Sequence, residues 1–177
     1  VLLDADIGLS CLSSLFNVYG AELSLRDYLK YDSISIDKIT YLAPSYKKIR
    51  IIPSGFALSE LLERNIDRLK RGLSELEQKY NLLIMDLPAG IDRDVISLLK
   101  ISTKYLLVEE SNPWGLDAAL KIKLLSERMG IPPIGFILND VTGKKSILKE
   151  YAKKYEEYLG IRFLGAVPYD PKVRTAT

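Results

Sequence analysis

Six short apolar runs, each separated from the next by a longer segment, constrain this chain more than any other feature. They are Val1 to Leu3, Ile49 to Ile52, Leu82 to Met85, Tyr105 to Val108, Ile134 to Leu138 and Phe163 to Val167. Several are apolar at consecutive positions, without the alternation of a strand that has one wet face. That pattern belongs to strands covered on both sides. Between the runs lie helix-period segments. Leu62, Ile66, Leu69, Leu73, Leu76 and Tyr80 recur every three or four residues, with Glu, Arg and Lys on the opposite face. Leu116, Leu120, Lys123, Leu124 and Met129 form a looser stripe, and Ile147, Leu148, Tyr151, Tyr155, Tyr158 and Leu159 a third, stopped by Gly160. Ser24-Leu25-Arg26-Asp27 has the form of a capping box and predicts a shorter helix. Strands alternating with helices are built as βαβ units. The expected fold is therefore α/β, with three layers: a mostly parallel sheet and helices on both faces. The sequence shows no repeat, low-complexity tract or linker, so residues 1–177 read as one domain.

Composition narrows the chemistry. There is no histidine, which excludes His-based triads and His-ligated metals. The single cysteine, Cys11, excludes a disulfide framework within the chain and any multi-thiolate zinc site, and it reads as a small buried hydrophobe. A net charge of +2 carries no implication of nucleic acid or membrane. The lysines at 47, 48, 144, 145, 149, 153 and 154 read first as a solvated face, with a DNA-contacting patch as the minority alternative. No apolar run approaches the length of a bilayer span and no signal peptide is present, so the expected setting is cytoplasmic. The chain opens on Val1, already inside an apolar run, and stops at Thr177 without a natural terminus; both ends read as cut.

Polar residues fall immediately after the runs. Val1 to Leu3 leads into Asp4-Ala5-Asp6-Ile7-Gly8, and Leu82 to Met85 into Asp86-Leu87-Pro88-Ala89-Gly90. The run from Ile134 ends at Asn139-Asp140, and that from Phe163 at Pro168-Tyr169-Asp170. In a parallel sheet these ends emerge along one edge, where open α/β folds bind ligands. Carboxylates at strand ends suit magnesium, which keeps much of its water shell. Asp4 and Asp6, two apart in extended backbone, project to the same side. An Asn amide offers a donor and an acceptor to a purine edge. Each residue has a plainer reading beside this one: an Asp or Asn ending a strand also serves as a turn or N-cap.

Taken together, these segments resemble the MinD/ParA group of deviant Walker ATPases. Val1 to Leu9 is similar to that family's switch I stretch, D-x-D-x-G after a strand, and Asp86 to Ile91 to its Walker B and switch II segment, D-x-P-A-G. Ile51 to Gly55 resembles its strand-then-P-S-G element, Ile137 to Asn139 its adenine-contacting strand end, and Val167 to Pro171 its V-P-x-D loop. The resemblance runs through essentially the whole chain. It implies a magnesium-dependent ATP hydrolase that forms an ATP-dependent homodimer, answers to a regulatory protein, and positions or partitions the division site, chromosomes, plasmids or organelles. By position, Asp6 matches the residue acting near the attacking water and magnesium, Asp86 the Walker B magnesium carboxylate, and Asp4 the first aspartate of the switch. Gly8, Pro88 and Gly90 match the nucleotide-facing turns, and Asn139, Pro168 and Asp170 the surroundings of adenine. Asp140 departs from the Arg or Lys that often follows that Asn.

The family's K-G-G-x-G-K-T loop does not occur in the sequence. The expectation is a MinD/ParA-like domain shown without its N-terminal strand, phosphate loop, first helix and C-terminal tail. As given it would be inactive and poorly stable, while its parent hydrolyses ATP. Membrane association, at the inner face, and DNA association remain open for the parent. The competing expectation is a pseudo-ATPase or partner-binding module of the same fold. A metabolic synthetase or an iron–sulfur carrier is a third possibility, the carrier disfavoured by the single cysteine.

Overall fold

The computed structural model describes residues 1–6, 11–55, 59–110, 113–142 and 145–173, with side chains at 59–64, 113–114 and 145–147 left out. Two compact units divide the chain, Val1–Leu98 and Leu99–Thr177.

The first unit opens with β1 (Leu2–Asp4), followed by a one-turn helix α1 (Leu12–Leu15) and by α2 (Leu25–Lys30). The capping box expected at Ser24 is present, with Asp27 Oδ2 accepting from both the Ser24 amide (2.9 Å) and its hydroxyl (2.7 Å). A 3₁₀ turn over Ile36–Ile39 leads into β2 (Tyr41–Leu42) and β3 (Arg50–Ile52). Helix α3 (Ser59–Glu77) kinks at Asn65 and precedes β4 (Ile84–Asp86) and α4 (Arg93–Lys100). The sheet order is β2-β3-β1-β4. β1 runs parallel to both β3 and β4, and only β2, an edge strand, is antiparallel. Leu3, Ile51 and Ile52 from the strands, Leu25 from α2, Leu69 and Leu76 from α3, and Ile36 and Ile39 from the 3₁₀ turn are fully buried. The α3 stripe read from the sequence is thus its core face.

Arg68 fastens α3 to the end of α2. Its Nε donates to the Tyr28 carbonyl (2.7 Å), its Nη2 to the carbonyls of Tyr31 (2.9 Å) and Ile34 (3.0 Å), and its Nη1 pairs with Asp32. These carbonyls belong to the last turn of α2 and the loop just after it, where the Tyr31 carbonyl also accepts from the Ile34 amide (3.1 Å), so the guanidinium ties the end of α2 and that loop to α3.

The second unit contains β5 (Tyr105–Glu110), α5 (Pro113–Met129), β6 (Pro133–Val141), α6 (Lys145–Leu159) and β7 (Phe163–Pro168). Its three strands are parallel in the order β5-β6-β7. Tyr105, Leu107, Phe136 and Leu138 pack against Ala119 of α5 and Ala152, Tyr155 and Leu159 of α6. Leu106, Val108, Leu164 and Val167 remain exposed.

The parallel α/β architecture is the expected one. The strands, however, pair as two hydrogen-bonded sheets among the described residues: β4 has β1 as its neighbour and β5 has β6. Ile84 of β4 is 48% exposed, although its run was composed for burial. No described helix is long and apolar enough to cross a membrane.

Candidate functional site

In the first unit the register of β1 against β4 pairs Leu2 with Ile84, Leu3 with Met85 and Asp4 with Asp86. The two aspartates therefore stand side by side at the carboxyl ends of adjacent parallel strands, where α/β sheets receive ligands. The Ala5 amide donates to the Asp86 carbonyl (2.9 Å), prolonging the ladder by one residue. Asp4 is buried: its Oδ1 accepts from the Asp6 amide and its Oδ2 from the Leu12 amide, both at 3.2 Å. One carboxylate thus ties residue 6 and the start of α1 to the end of β1.

Asp6 and Asp86 lie close enough to repel. Partial burial pushes the Asp86 carboxyl above its ordinary range, and the Asp6 charge pushes it further. Cys11 sits in the same field; burial raises its thiol, and the charges of Asp4, Asp86 and Asp6 add to that. The residue is exposed, which corrects the sequence reading of a buried hydrophobe. Cys11 precedes the one-turn helix α1, which buries none of its residues.

Concentrated negative charge with hard oxygen donors fits a divalent cation such as magnesium better than a soft metal. No group of three or more acidic, thiol or imidazole side chains among the described residues can enclose an ion by itself.

After β4 the chain turns through Asp86-Leu87-Pro88-Ala89-Gly90. Gly90 has φ +103°, a left-handed conformation that a side chain disfavours, although open space surrounds it. Asp92 then accepts from the Val95 amide (3.0 Å) and starts α4 as its N-cap. Pro88 and Gly90 thus lie on a strand–turn–helix connection directly beyond Asp86. After β3, the carbonyls of Pro53 and Ser54 accept from the Leu25 amide (2.8 Å) and the Arg26 amide (3.0 Å), joining the P-S-G element to α2. Gly8 lies outside the described residues.

In the second unit Glu110 pairs with Asn139 and Val141 with Pro168, so Asn139 and Pro168 share the carboxyl end of that sheet. Asp140 takes φ +55°, and the strand register shifts between Leu138 and Val141 around it. The Tyr169 amide donates to the Val141 carbonyl (3.0 Å), and Asp170 Oδ1 accepts from the Lys172 amide (2.9 Å), shaping the turn after β7. Asn139, Pro168 and Asp170 are exposed on this rim.

One residue that sequence reasoning passed over stands at the end of β5. Glu109 follows Tyr105 and Leu107 on the buried face of the strand, and burial, with Glu110 next to it, raises its carboxyl to about 7. The available signal was a pair of acids ending an apolar strand.

No protein-family profile matches the chain. It is 29% identical over 175 residues to an uncharacterized ATP-binding protein of Methanocaldococcus jannaschii, a match covering 99% of this chain and 64% of that relative's length. Among solved structures, the cell division ATPase MinD of Pyrococcus furiosus superposes with a TM-score of 0.83 at 21% identity, over 99% of this chain and 73% of that one. The septum site-determining protein MinD of Pyrococcus horikoshii, solved with Mg-ADP, gives 0.82 at 20% identity, over 98% and 70%. These similarities establish an α/β fold of the MinD kind.

Proposed function

We propose, for a chain that belongs to the MinD/ParA family, that the protein containing it is a magnesium-dependent ATPase whose nucleotide cycle drives dimerisation and serves cellular positioning or partitioning. The observation that carries this reading is the pairing of Asp4 with Asp86 at the ends of adjacent parallel strands, with Asp6 close enough to raise Asp86. Two carboxylates that repel one another are placed to gain from a cation between them.

In this reading Asp86 holds magnesium through its water shell, and Asp6 both shares that shell and orients the attacking water. Magnesium, when bound, neutralises charge developing on the transferred phosphoryl group. Asp4 positions: by holding the amides of residues 6 and 12, it sets where the Asp6 carboxylate stands. Pro88 and Gly90 shape the turn that faces the γ-phosphate. Asn139, Pro168 and Asp170 take the adenine, with the Asn139 amide as the group able to pair with its edge.

The phosphate cradle has to come from outside these 177 residues. The chain spans 64% of the length of its archaeal relative, and we place the cradle, with its strand and helix, in the part that relative has beyond the match. Dimerisation, a regulatory protein partner, a cytoplasmic location and any peripheral attachment to membrane or DNA belong to the same proposal.

Asp6→Ala in the whole protein tests it. ATP turnover is expected to fall by at least about 100-fold, because the residue acts on the transition state, while nucleotide affinity changes little. Unchanged turnover removes Asp6 from the mechanism. Binding without turnover in the unaltered protein favours the pseudo-ATPase, a reading that the absence of a G-x-x-x-x-G-K-[ST] motif within these residues keeps in play.

A further inference from the structure

The turn joining β2 to β3 and the small helix α1 form an exposed surface that the proposed nucleotide chemistry does not use. Leu12 and Phe16, from α1 and its end, pack with Tyr41 and Ile49 against the buried trio Val18, Ala43 and Ile51, so the turn and the helix lie together. The Tyr46 ring meets Phe16 edge-on at 5.5 Å. The Tyr19 hydroxyl donates to the Ser14 carbonyl (3.3 Å), which lays that side chain along α1. Instead of turning inward, the outer side chains stay in solvent: Tyr19 is 76% exposed, Leu15 56% and Tyr46 49%.

At about 200 Å² for a whole side chain of this size, those three present on the order of 350 Å² of largely apolar surface. That is the range of the largest patch on an ordinary monomer, one that is often functional. Beside it, Lys47 and Lys48 are exposed and form no ion pair among the described residues. Exposed tyrosines suit the core of a protein interface, and lysines beside them its polar rim, where charge steers and selects the partner. Two lysines fall short of the cluster of four or more that a bilayer surface requires, and a helix of four residues offers no amphipathic face to insert. On DNA, two neutralised phosphates give little affinity at physiological salt.

We propose that this surface docks an acidic segment of a protein partner, carboxylates meeting Lys47 and Lys48 while an apolar side chain packs against Tyr46, Tyr19 and Leu15. The dock is connected to the candidate site, because the first amide of α1, on Leu12, is held by Asp4. A partner seated on α1 therefore pulls on the same carboxylate that positions residue 6.

Random peptides displayed on phage and selected on the whole protein, with no counter-selection, test the proposal without presuming a partner. The expected winners carry Asp or Glu flanking a Leu, Phe or Tyr, and they shift backbone amide resonances at residues 12–19 and 43–49. Lys47→Glu/Lys48→Glu weakens a selected peptide by about tenfold or more, and the same peptide with its acids changed to Lys recovers binding to that variant. Winners without acidic bias, or binding indifferent to the double substitution, overturn the proposal. It is also overturned if phosphatidylserine vesicles or a short DNA duplex move those resonances while the acidic peptides do not.

Discussion

Replacing Glu109 by glutamine is expected to stabilise the protein at alkaline pH and to do little at acidic pH. Glu109 lies on the covered face of β5, on the same side as the buried Tyr105 and Leu107. Across from it, Tyr155 of α6 has its hydroxyl pushed upward, first by burial and then by the Glu109 charge. The carboxyl itself rises from 4.5 to about 7, because burial penalises its charged form and Glu110 repels it. A carboxyl that holds its proton more tightly in the folded than in the unfolded state gives stability that is complete below its unfolded value. That stability is lost as pH rises through the folded value, so the window of loss runs from about 4.5 to about 7. At about 1.4 kcal/mol per pH unit the full shift corresponds to about 3 kcal/mol. The group is only partly covered, and screening by solvent reduces this to about 1–2 kcal/mol. Urea unfolding of the whole protein and of Glu109→Gln at about pH 5 and about pH 8 reads the effect directly. The variant should gain about 1–2 kcal/mol on the unaltered protein between the two conditions. An equal difference at both pH values would refute the reasoning, since an ionisation that penalises folding must vanish when the group is protonated.

Arg68→Ala should cost about 1–3 kcal/mol in urea unfolding, because it takes a donor from three carbonyls, of which only that of Tyr31 keeps a backbone partner in the Ile34 amide; Arg68→Lys should recover only part, lacking the fork. Gly72→Ala places a Cβ 2.6 Å from the Tyr28 hydroxyl, and about 1–3 kcal/mol should be lost. Tyr28→Phe in the same background should return part of that, and a purely additive pair of changes would contradict the contact. Finally, the 177-residue chain expressed alone should aggregate with concentration, since Leu82, Ile84, Leu106 and Val108 expose apolar side chains on strands β4 and β5 or just before them. It should also bind no ATP–magnesium at micromolar concentration, and calorimetric titration with light scattering decides both. Micromolar binding by a monodisperse chain would reverse this view.

Local pattern alone determined much of this protein. Six apolar runs became β1 and β3 to β7, because a short consecutive apolar run bounded by polar turn residues is too short for a helix and pairs as a strand. The stripes at 62–80, 116–129 and 147–159 became α3, α5 and α6, and Ser24 with Asp27 closed its box, since capping is settled within one helical turn. The strand-ending polar residues were legible too, as candidates. Other features had no local signal. β2 is two residues long and exists because Tyr41 and Leu42 find Ile51 and Arg50; α1 is a single turn. Cys11 looked like a core residue and is exposed; partial burial, and then the charges of Asp4, Asp86 and Asp6, raise its thiol. Only the tertiary structure brought Asp4 beside Asp86, by setting β1 between β3 and β4. Periodicity records which face of a strand is buried, but strand order and register arise from hydrogen bonds between residues far apart in sequence. The apolar runs therefore announced a sheet, while the meeting of its carboxylates waited on which strands paired.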